Sequence, residues 1–598
     1  MPAGFPAGLL CELGSDPGAA GPPVLVDDLP ATVARYEQRV PGVRWVWPTS
    51  AGLYPALLRA GVRVARCHDV TLTHGLLAGR DGSSAASAPE LPALHAVLAD
   101  TSPPLGQAEL FGPPDEPGWP DRAPRPDHPG PPDHPDRLRG PALEAIRTGL
   151  ANLVTVHADQ QRRISADADA RRFGLLVAAE SAGGLAAAEM SFAGIPWRAD
   201  VHDELLTGLL GARPPGGAQF ARPRRLTELA GQIAGQLGGR PVNPDSPAQL
   251  TRALAAAGIR VGSTRSSELR RIDHPVIPLL LEYKELARLH AAHGWAWLDT
   301  WVSGGRFRPE YVVGGVVSGR WASRGGGALQ IPRVLRRAVV ADPGWVLVVA
   351  DAAQLEPRVL AALAGDDAFA EAAAGGDLYA ALADAFGGDR AKAKVALLSA
   401  MYGGAGGEAG QLLAVLRRRF PRAAGYVEAA ARAGEEGQVV RSVLGRTCPA
   451  PSAAWRAVTE ESPTPDAPRD PGAARAARAR GRFTRNFVVQ ASAAEWALVL
   501  LACLRPRLAA MTVQNGFRAA SASRGLADDL AGRWDPDRPH LVFFQHDEVI
   551  VHCPAPLAGL VASATAEAAA EAGRLVFGDT PVQFPMSTSV VGCYADAK

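Results

Sequence analysis

Two apolar runs that each end on a carboxylate constrain this chain more than any other feature. WVLVVA (345–350) reads as a buried strand and delivers Asp351 to the point where a helix begins near Leu355. LVFF-QHDE-VIVHC (541–553) reads as a hairpin, with two apolar runs about a four-residue polar turn that carries Asp547. If both strands pair in one sheet, the two carboxylates converge at its surface. Two carboxylates at that separation make a site for two Mg²⁺ ions held roughly 3.5–4 Å apart, as nucleotidyl transfer uses. Mg²⁺ suits such a site because it takes few protein ligands and completes its shell with water and phosphate oxygen. Each piece alone has an ordinary explanation: a strand-end Asp commonly caps the next helix, and a polar hairpin turn is commonly just solvated.

The segment DRAKAKVALLSAMYGG (389–404) adds a phosphate-binding face. Arg390, Lys394, Leu398 and Tyr402 fall four apart, so all lie on one broad stripe of a helix that Gly403 and Gly404 end. Two cations a turn apart can clamp a triphosphate, and the apolar and aromatic positions beyond them can pack on a base and sugar. A basic, solvated face is the common outcome for such spacing, but this stripe turns from basic to apolar along its length. Further basic and polar positions suit a strand of nucleic acid: Arg320 in SGRWAS, Gln330, Arg333, Arg336 and Arg337 in QIPRVLRRA, and the run RAARARGRFTRNFVVQ. Within the last, Arg482, Asn486 and Gln490 are again four apart, with tips able to reach base edges. Arg417, Arg418 and Arg419 read as a plain surface cluster.

The chain has 598 residues, enough for several domains, and its net charge of +1 neither supports nor excludes a groove that is basic only locally. Six scattered cysteines without a C-x-x-C pair argue against a disulfide framework or zinc site and fit a reducing cytosol. The N-terminus lacks the positive region of a signal peptide, and no apolar run reads as long enough to span a membrane. Residues 1 to about 100 alternate strand and helix signals, as in VRWVW (43–47) and LYPALLRAG (53–61), and suggest a small α/β unit. The Pro- and Asp-rich stretch 102–141 reads as a disordered loop. A helical block follows to about 298, ending in a long helix over 274–298. YVVGGVV (311–317) reads as a buried strand, and 461–475 as a polar loop inside a second helical block.

These pieces, in this order, resemble family A DNA polymerases. ADAAQLEPRVLAALAGD resembles the first palm motif, which implies Asp351 as a metal ligand, Glu356 as the gate that excludes a ribose 2′-hydroxyl, Arg358 as its support and Gln354 as a nucleotide-side position. R-x-x-x-K-x-x-x-L-S-x-x-YG resembles the fingers helix. It implies Arg390 and the catalytic Lys394 on the nucleotide phosphates, Leu398 on the sugar and base, and Tyr402 guarding the insertion site. QHDEVIVHCP resembles the third motif and implies Asp547 as second metal ligand, Glu548 as a catalytic neighbour and His546 near the primer end. SGRWAS with LQIP carries primer and template contacts over to Arg320 and Gln330. RFTRNFVVQASAAE carries DNA contacts over to Arg482, Asn486 and Gln490. NPDSPAQL (243–250) and LEYKELARL (281–289) resemble the thumb.

The resemblance runs from about residue 175 to the end. It implies a multidomain α/β and α+β protein, a right hand of palm, fingers and thumb behind an N-terminal degenerate RNase H-like exonuclease domain. The expected boundaries are 1–170 for that domain, 171–300 thumb, 301–362 first palm part, 363–489 fingers and 490–598 second palm part. The expected partners are primer–template DNA and deoxynucleoside triphosphates, with two Mg²⁺, or Mn²⁺ in their place. A cytoplasmic, nucleoid-associated monomer with no membrane partner is expected. Three positions depart from the family pattern: Leu398 stands where Phe or Tyr is usual, Tyr379 where His is common, and Ala352-Ala353 for Tyr-Ser. The N-terminal region has no Asp-x-Glu pair in residues 1–100, and Asp27-Asp28 and His68-Asp69 lack that spacing, so a domain without its nuclease site is expected, with no 5′ nuclease block before it. Three other readings stand beside the polymerase: a phage-type RNA polymerase, against which Glu356 and the HDE turn argue; a DNA-binding repair scaffold with a weakened site; and a retained 3′–5′ exonuclease activity.

Overall fold

The computed structural model describes residues 8–14, 19–82, 141–214, 222–324, 326–402, 408–460, 471–513 and 537–597. The expected loop over 102–141 falls almost wholly outside them, as do Gly403 and Gly404 and most of the expected loop at 461–475. The described chain forms two compact units. One comprises residues 1–193, 311–322 and 348–590; the other comprises 194–310, 323–347 and 591–598.

Nine elements of the first unit carry the argument: helix α1 (Ala170–Ala193), strand β1 (Trp345–Ala352, its first turn in the other unit), helices α2 (Leu355–Ala364), α3 (Arg390–Tyr402) and α4 (Pro471–Ala509), strands β2 (His540–Gln545) and β3 (Glu548–Pro554), helix α5 (Ala558–Phe577) and strand β4 (Met586–Val591). The strands form one sheet in the order β2-β3-β1-β4. Every residue of β3 is buried, and so are Leu347–Ala350 of β1, which is why both read as continuous apolar runs. β4, MSTSVV, lies at the edge and keeps its Ser and Thr positions exposed. Helix α4 is the buttress. Its residues from Phe487 to Leu501 are almost continuously buried, and Trp496, fully buried, stacks on Phe584 at 5.4 Å. Burying each large apolar side chain of that kind contributes about 1.5–3 kcal/mol.

The N-terminal region is a small α/β layer, as its alternating signals predict. Strands Arg44–Trp47 and Arg66–Asp69 pair in parallel around the helix Ser50–Arg59, and Gly8–Leu10 pairs antiparallel with Val24–Val26. Its core of Leu29, Val33, Trp47, Tyr54 and Leu57 closes on Leu185 of α1. A buried ion cluster ties it further. Glu189 of α1 accepts from Arg505 of α4 at 2.7 and 3.0 Å, from Arg63 at 2.8 Å and from the Tyr54 hydroxyl at 2.6 Å. Burial alone would raise the Glu189 carboxyl, but the two guanidinium groups overcome it and hold it well below the usual range. Asp69 caps the helix Val70–Asp81 through Leu72 N–H at 3.0 Å and also accepts from Ser50 N–H at 2.6 Å.

The second unit is built of the helices Ala199–Leu210, Arg224–Gln236, Pro247–Ala256, Val276–His293 and Trp295–Trp301, with a three-stranded sheet of Ile195–Pro196, Arg306–Phe307 and Val302–Ser303. Its core is aromatic. Trp297 meets Phe307 at 4.8 Å, Trp197 at 5.3 Å and His202 at 5.5 Å, and burial pushes His202 and His293 down to about 4.

Several expectations are corrected. The long helix over 274–298 is two helices: Gly294 leaves the helical region for an extended conformation, and there a side chain would collide with the His290 carbonyl, so glycine is required at the break. YVVGGVV is not a buried strand: only Glu310–Val312 is extended. Gly314 then takes φ +62°, and Val316 N–H bonds Arg320 C=O at 3.0 Å, leaving Val316 and Val317 exposed in a turn. The expected loop ends sooner than 475, since α4 begins at Pro471. Two helices are in fact long and apolar enough to cross a membrane, α1 and α4, but their most apolar windows are 78% and 83% buried within the protein, as core helices are. The first break between the two compact units falls at 193/194, and α4 is continuous through 489/490.

Candidate active site

The site lies where the central strands stop. β2 and β3 join through His546 and Asp547 alone, a tighter turn than the four residues the apolar pattern indicates, since Gln545 and Glu548 already pair in the ladder. His546 takes φ +57° to make it. On the neighbouring strand, Ala352 N–H donates to the Asp547 carbonyl at 2.9 Å, so the turn residue Asp547 and the strand residue Asp351 lie at the same end of the sheet. Both carboxylates are half-buried, and Glu548 is buried. After β1 the chain turns through Gln354, at φ +57°, into α2. Among the described residues Gln354 and His546 are the non-glycine residues with positive φ, and they bracket the two carboxylates. Strained backbone of this kind persists where surrounding contacts fix it and is concentrated at functional sites.

Beside the carboxylates opens a pocket of about 240 Å³, lined by Arg320, Gln354, Glu356, Tyr379, His546 and Asp547 together with Trp321, Phe544 and Ala493–Ala494 of α4. Glu356, on the first turn of α2, accepts from both the Arg320 guanidinium and the Tyr402 hydroxyl. Burial lowers the Arg320 guanidinium, and burial and then the Arg320 charge lower His546. Trp321 stands edge-on to Phe544 at 4.9 Å and to Tyr311 at 5.8 Å, which keys the SGRW turn to the hairpin.

A second cluster sits at the base of α3. Asp377 accepts from Gln354 Nε2 at 2.8 Å and Arg390 Nε at 2.7 Å, and it caps its own helix through Tyr379 N–H at 3.0 Å. Burial opposes ionisation of Asp377, but Arg390 and these hydrogen bonds hold it below the usual range. Arg390 also lies over the Tyr379 ring, 5.4 Å from its centroid. Lys394, one turn on, is exposed, and Leu398 is half-buried.

The structure thus gathers Arg320, Gln354, Glu356, Tyr379, His546 and Asp547 at one pocket, with Tyr402 bonded to Glu356, Asp351 on the strand beside it, and Arg390, Lys394 and Leu398 along the helix that carries Tyr402. Arg482, Asn486 and Gln490 share a stripe of α4 that continues to Ala494, and buried Asn486 Oδ1 has no protein partner. Gln330 belongs to the other compact unit. Arg358 does not support Glu356. It is fully buried and donates to the carbonyls of Ala353, Ala373, Gly375, Gly376 and Gln583 and to Gln354 Oε1, so it fixes the Gln354 turn. Sequence reasoning missed Asp377. Its place before LYAALA signals a helix cap, but nothing local signals its long-range partners.

Among the described residues no group of three or more His, Cys, Asp or Glu side chains is placed to hold a metal. The Asp351–Asp547 pair still fits hard divalent cations. All its donors are oxygen, it is half-open to solvent, and such cations accept water and phosphate oxygens for the rest of their shell.

Comparison with known proteins identifies the family and a similar fold. Residues 219–587 match the DNA polymerase family A profile, so the chain belongs to that family. DNA polymerase I of Chloroflexus aurantiacus is 28% identical over 382 residues, covering 56% of this chain and 36% of that protein. The thermostable DNA polymerase I of Thermus filiformis is 30% identical over 171 residues, covering 25% of this chain and 20% of its own. The chain therefore aligns with well under two thirds of those relatives' length. The fold is similar to that of the POL domain of Pol1 from M. smegmatis, solved in complex with DNA primer-template and dNTP, with a TM-score of 0.56, 19% identity and 76% of each chain covered.

Proposed function

We propose that this chain is a template-directed DNA polymerase that adds deoxynucleotides to a primer 3′ end. The observation that carries the proposal is Asp547, in the turn between β2 and β3, beside the end of β1 that carries Asp351, at a pocket lined by Arg320 and Glu356, with Tyr402 bonded to Glu356. Divalent cations bound by that pair, Mg²⁺ or in its place Mn²⁺, would promote loss of the 3′-hydroxyl proton and offset the charge of the leaving pyrophosphate. The protein's own part is positioning. Arg390 and Lys394 hold the triphosphate along α3, Leu398 packs on sugar and base, and Gln354 and Tyr379 shape the pocket wall. Glu356 sits where a ribose 2′-hydroxyl would enter, Tyr402 stands over the insertion site, and Glu548 flanks the metal pair. Arg320, Gln330, His546 and the Arg482, Asn486, Gln490 stripe meet primer and template. For the incoming nucleotide, Arg390 must leave Asp377 and Tyr402 must leave Glu356, which makes movement of α3 part of the cycle.

In domain terms the reading is 1–170 exonuclease-like without its nuclease site, 171–300 thumb, 301–362 and 490–598 palm, and 363–489 fingers, in a cytoplasmic, nucleoid-associated monomer. The open groove between Pro247–Arg252 and Gly262–Arg265, with two arginines on its rim, suits a duplex backbone. A DNA-binding scaffold is the second reading, favoured by one observation: Arg390 is already engaged by Asp377 and Tyr379.

Primer extension with Mg²⁺ and four deoxynucleotides, comparing wild type with Asp547→Ala, tests the proposal. Extension reduced roughly 10³-fold or more in the variant is expected, on the scale of losing a metal's charge stabilisation. No extension by either protein, with primer–template still bound tightly, would replace the polymerase by the scaffold.

A further inference from the structure

Resting on that reading, the structure also assigns a positioning role to a buried ion pair outside the pocket, Glu180 of α1 with Arg446. Arg446 Nη2 lies 2.7 Å from Glu180 Oε2, and the two side chains are only 10% and 4% exposed. They come from parts of the chain 266 residues apart, a helix that packs on the N-terminal layer and a loop of the helical block.

The pair touches the one turn that aims Arg320. Gly314 and Gly319 flank that turn, at φ +62° and +83°. A Cβ on Gly314 would stand 2.5 Å from Glu180 Oε1, and a Cβ on Gly319 would overlap the Arg446 guanidinium. Each partner of the ion pair therefore lies against one glycine of the turn, Glu180 end-on through Oε1 and Arg446 with the face of its guanidinium. The turn itself closes through Gly319 N–H to Val316 C=O at 2.7 Å and Val316 N–H to Arg320 C=O at 3.0 Å. Arg320, next after Gly319, is the residue that reaches Glu356 in the pocket.

Arg446 is in turn held from α4. Glu495, fully buried, accepts from the Ser442 hydroxyl, from Leu444 N–H at 2.9 Å and from Arg446 N–H at 3.4 Å, while Ser492 Oγ accepts from Val443 N–H at 3.0 Å. The loop 442–446 is thus pinned by its backbone, so its arginine has a fixed origin from which to meet Glu180. A buried ion pair gives little net stability, and it is best retained where it specifies one arrangement over others. Here that arrangement is the path of the turn, and through it the placement of the Arg320 guanidinium on the primer end.

The test uses the full chain, with primer–template affinity by fluorescence anisotropy and KM and kcat for extension measured together. Glu180→Gln, and the charge-free double variant Glu180→Gln/Arg446→Met in case the lone buried arginine prevents folding, are each built with and without Arg320→Ala. Gly319→Ala, which presses a methyl against Arg446, is the third probe. The expected result is primer–template binding weakened about tenfold, the size of one good base-edge contact, in the Arg320 background. The same substitutions should add nothing once Arg320 is Ala, because coupled residues are non-additive. KM for primer should rise more than kcat falls. Weakening that persists in full with Arg320→Ala, or unchanged binding in the folded double variant and in Gly319→Ala, would overturn the assignment. Because anisotropy needs no chemistry, a wild type that binds but does not extend would end the polymerase reading while leaving this one standing on its coupling.

Discussion

Glu189 and Glu356 are both gripped by arginine in the same compact unit, yet their surroundings differ. Glu189 is buried and held by Arg505, Arg63 and the Tyr54 hydroxyl, and it does not line the pocket beside the carboxylates. Glu356 faces a pocket, and its partners Arg320 and Tyr402 are both residues that a primer or nucleotide would claim. The first arrangement has one state and ties the N-terminal layer to α4. The second is open to exchange: on the proposed reading, Glu356 holds Arg320 and Tyr402 until a primer or nucleotide takes them. The same contrast separates Arg505, locked on both faces, from Arg390, which is exposed and leans on Asp377. The enclosed pair fixes one arrangement of the fold, and the pair beside the pocket is the one that a ligand could reach.

Breaking the enclosed cluster has the largest expected effect. Glu189→Ala leaves two arginines without their anion, and a loss of about 3–5 kcal/mol is expected from urea titration, with extension unchanged per folded molecule. Glu495 comes next. Burial raises its carboxyl to about 7, against the pull of Arg446 and its hydrogen bonds, with Tyr426 the other ionisable group in range. A raised folded-state pKa gives stability that is complete below the unfolded value near 4.5 and is lost as pH rises through about 7. Stability of wild type relative to Glu495→Gln should therefore fall across that window by on the order of 1–3 kcal/mol. A flat difference between pH 4 and 8 would show that Glu495 does not titrate there. Opening the exchangeable pair should barely register in stability. Glu356→Ala is expected to change unfolding by under about 1 kcal/mol while relaxing selection against ribonucleotides by about tenfold or more, read by single-nucleotide insertion. A large stability loss would move Glu356 into the class of Glu189.

The placement of the candidate site residues is legible in the sequence and that of their supports is not, for a physical reason. Asp351, Glu356, Arg390, Tyr402 and Asp547 stand at ends of strands and along one helix face, where local pattern determines geometry. Glu180 with Arg446 and Glu189 with Arg505 pair across the chain, and no local period announces which buried charge meets which. Arg358 resembles a support for Glu356, but a fully buried guanidinium must satisfy all its donors, and the nearest acceptors are carbonyls beyond Gln354. YVVGGVV misleads because apolar composition hides Gly314, whose left-handed backbone leads into a turn, and 274–298 because its apolar content continues across Gly294.

The left-handed backbone at Gln354 and His546 sets stability against selection. Glycine or asparagine would adopt those angles with less strain, by about 1 kcal/mol each, so a search for thermal robustness alone would favour replacing both. Gln354 would then lose the amide that links Arg358, Asp377 and Leu378, and the hairpin would lose its imidazole at the pocket mouth. A sturdier chain with a blunter site is the expected product of such optimisation. The two positions are therefore ones to hold fixed when this scaffold is engineered.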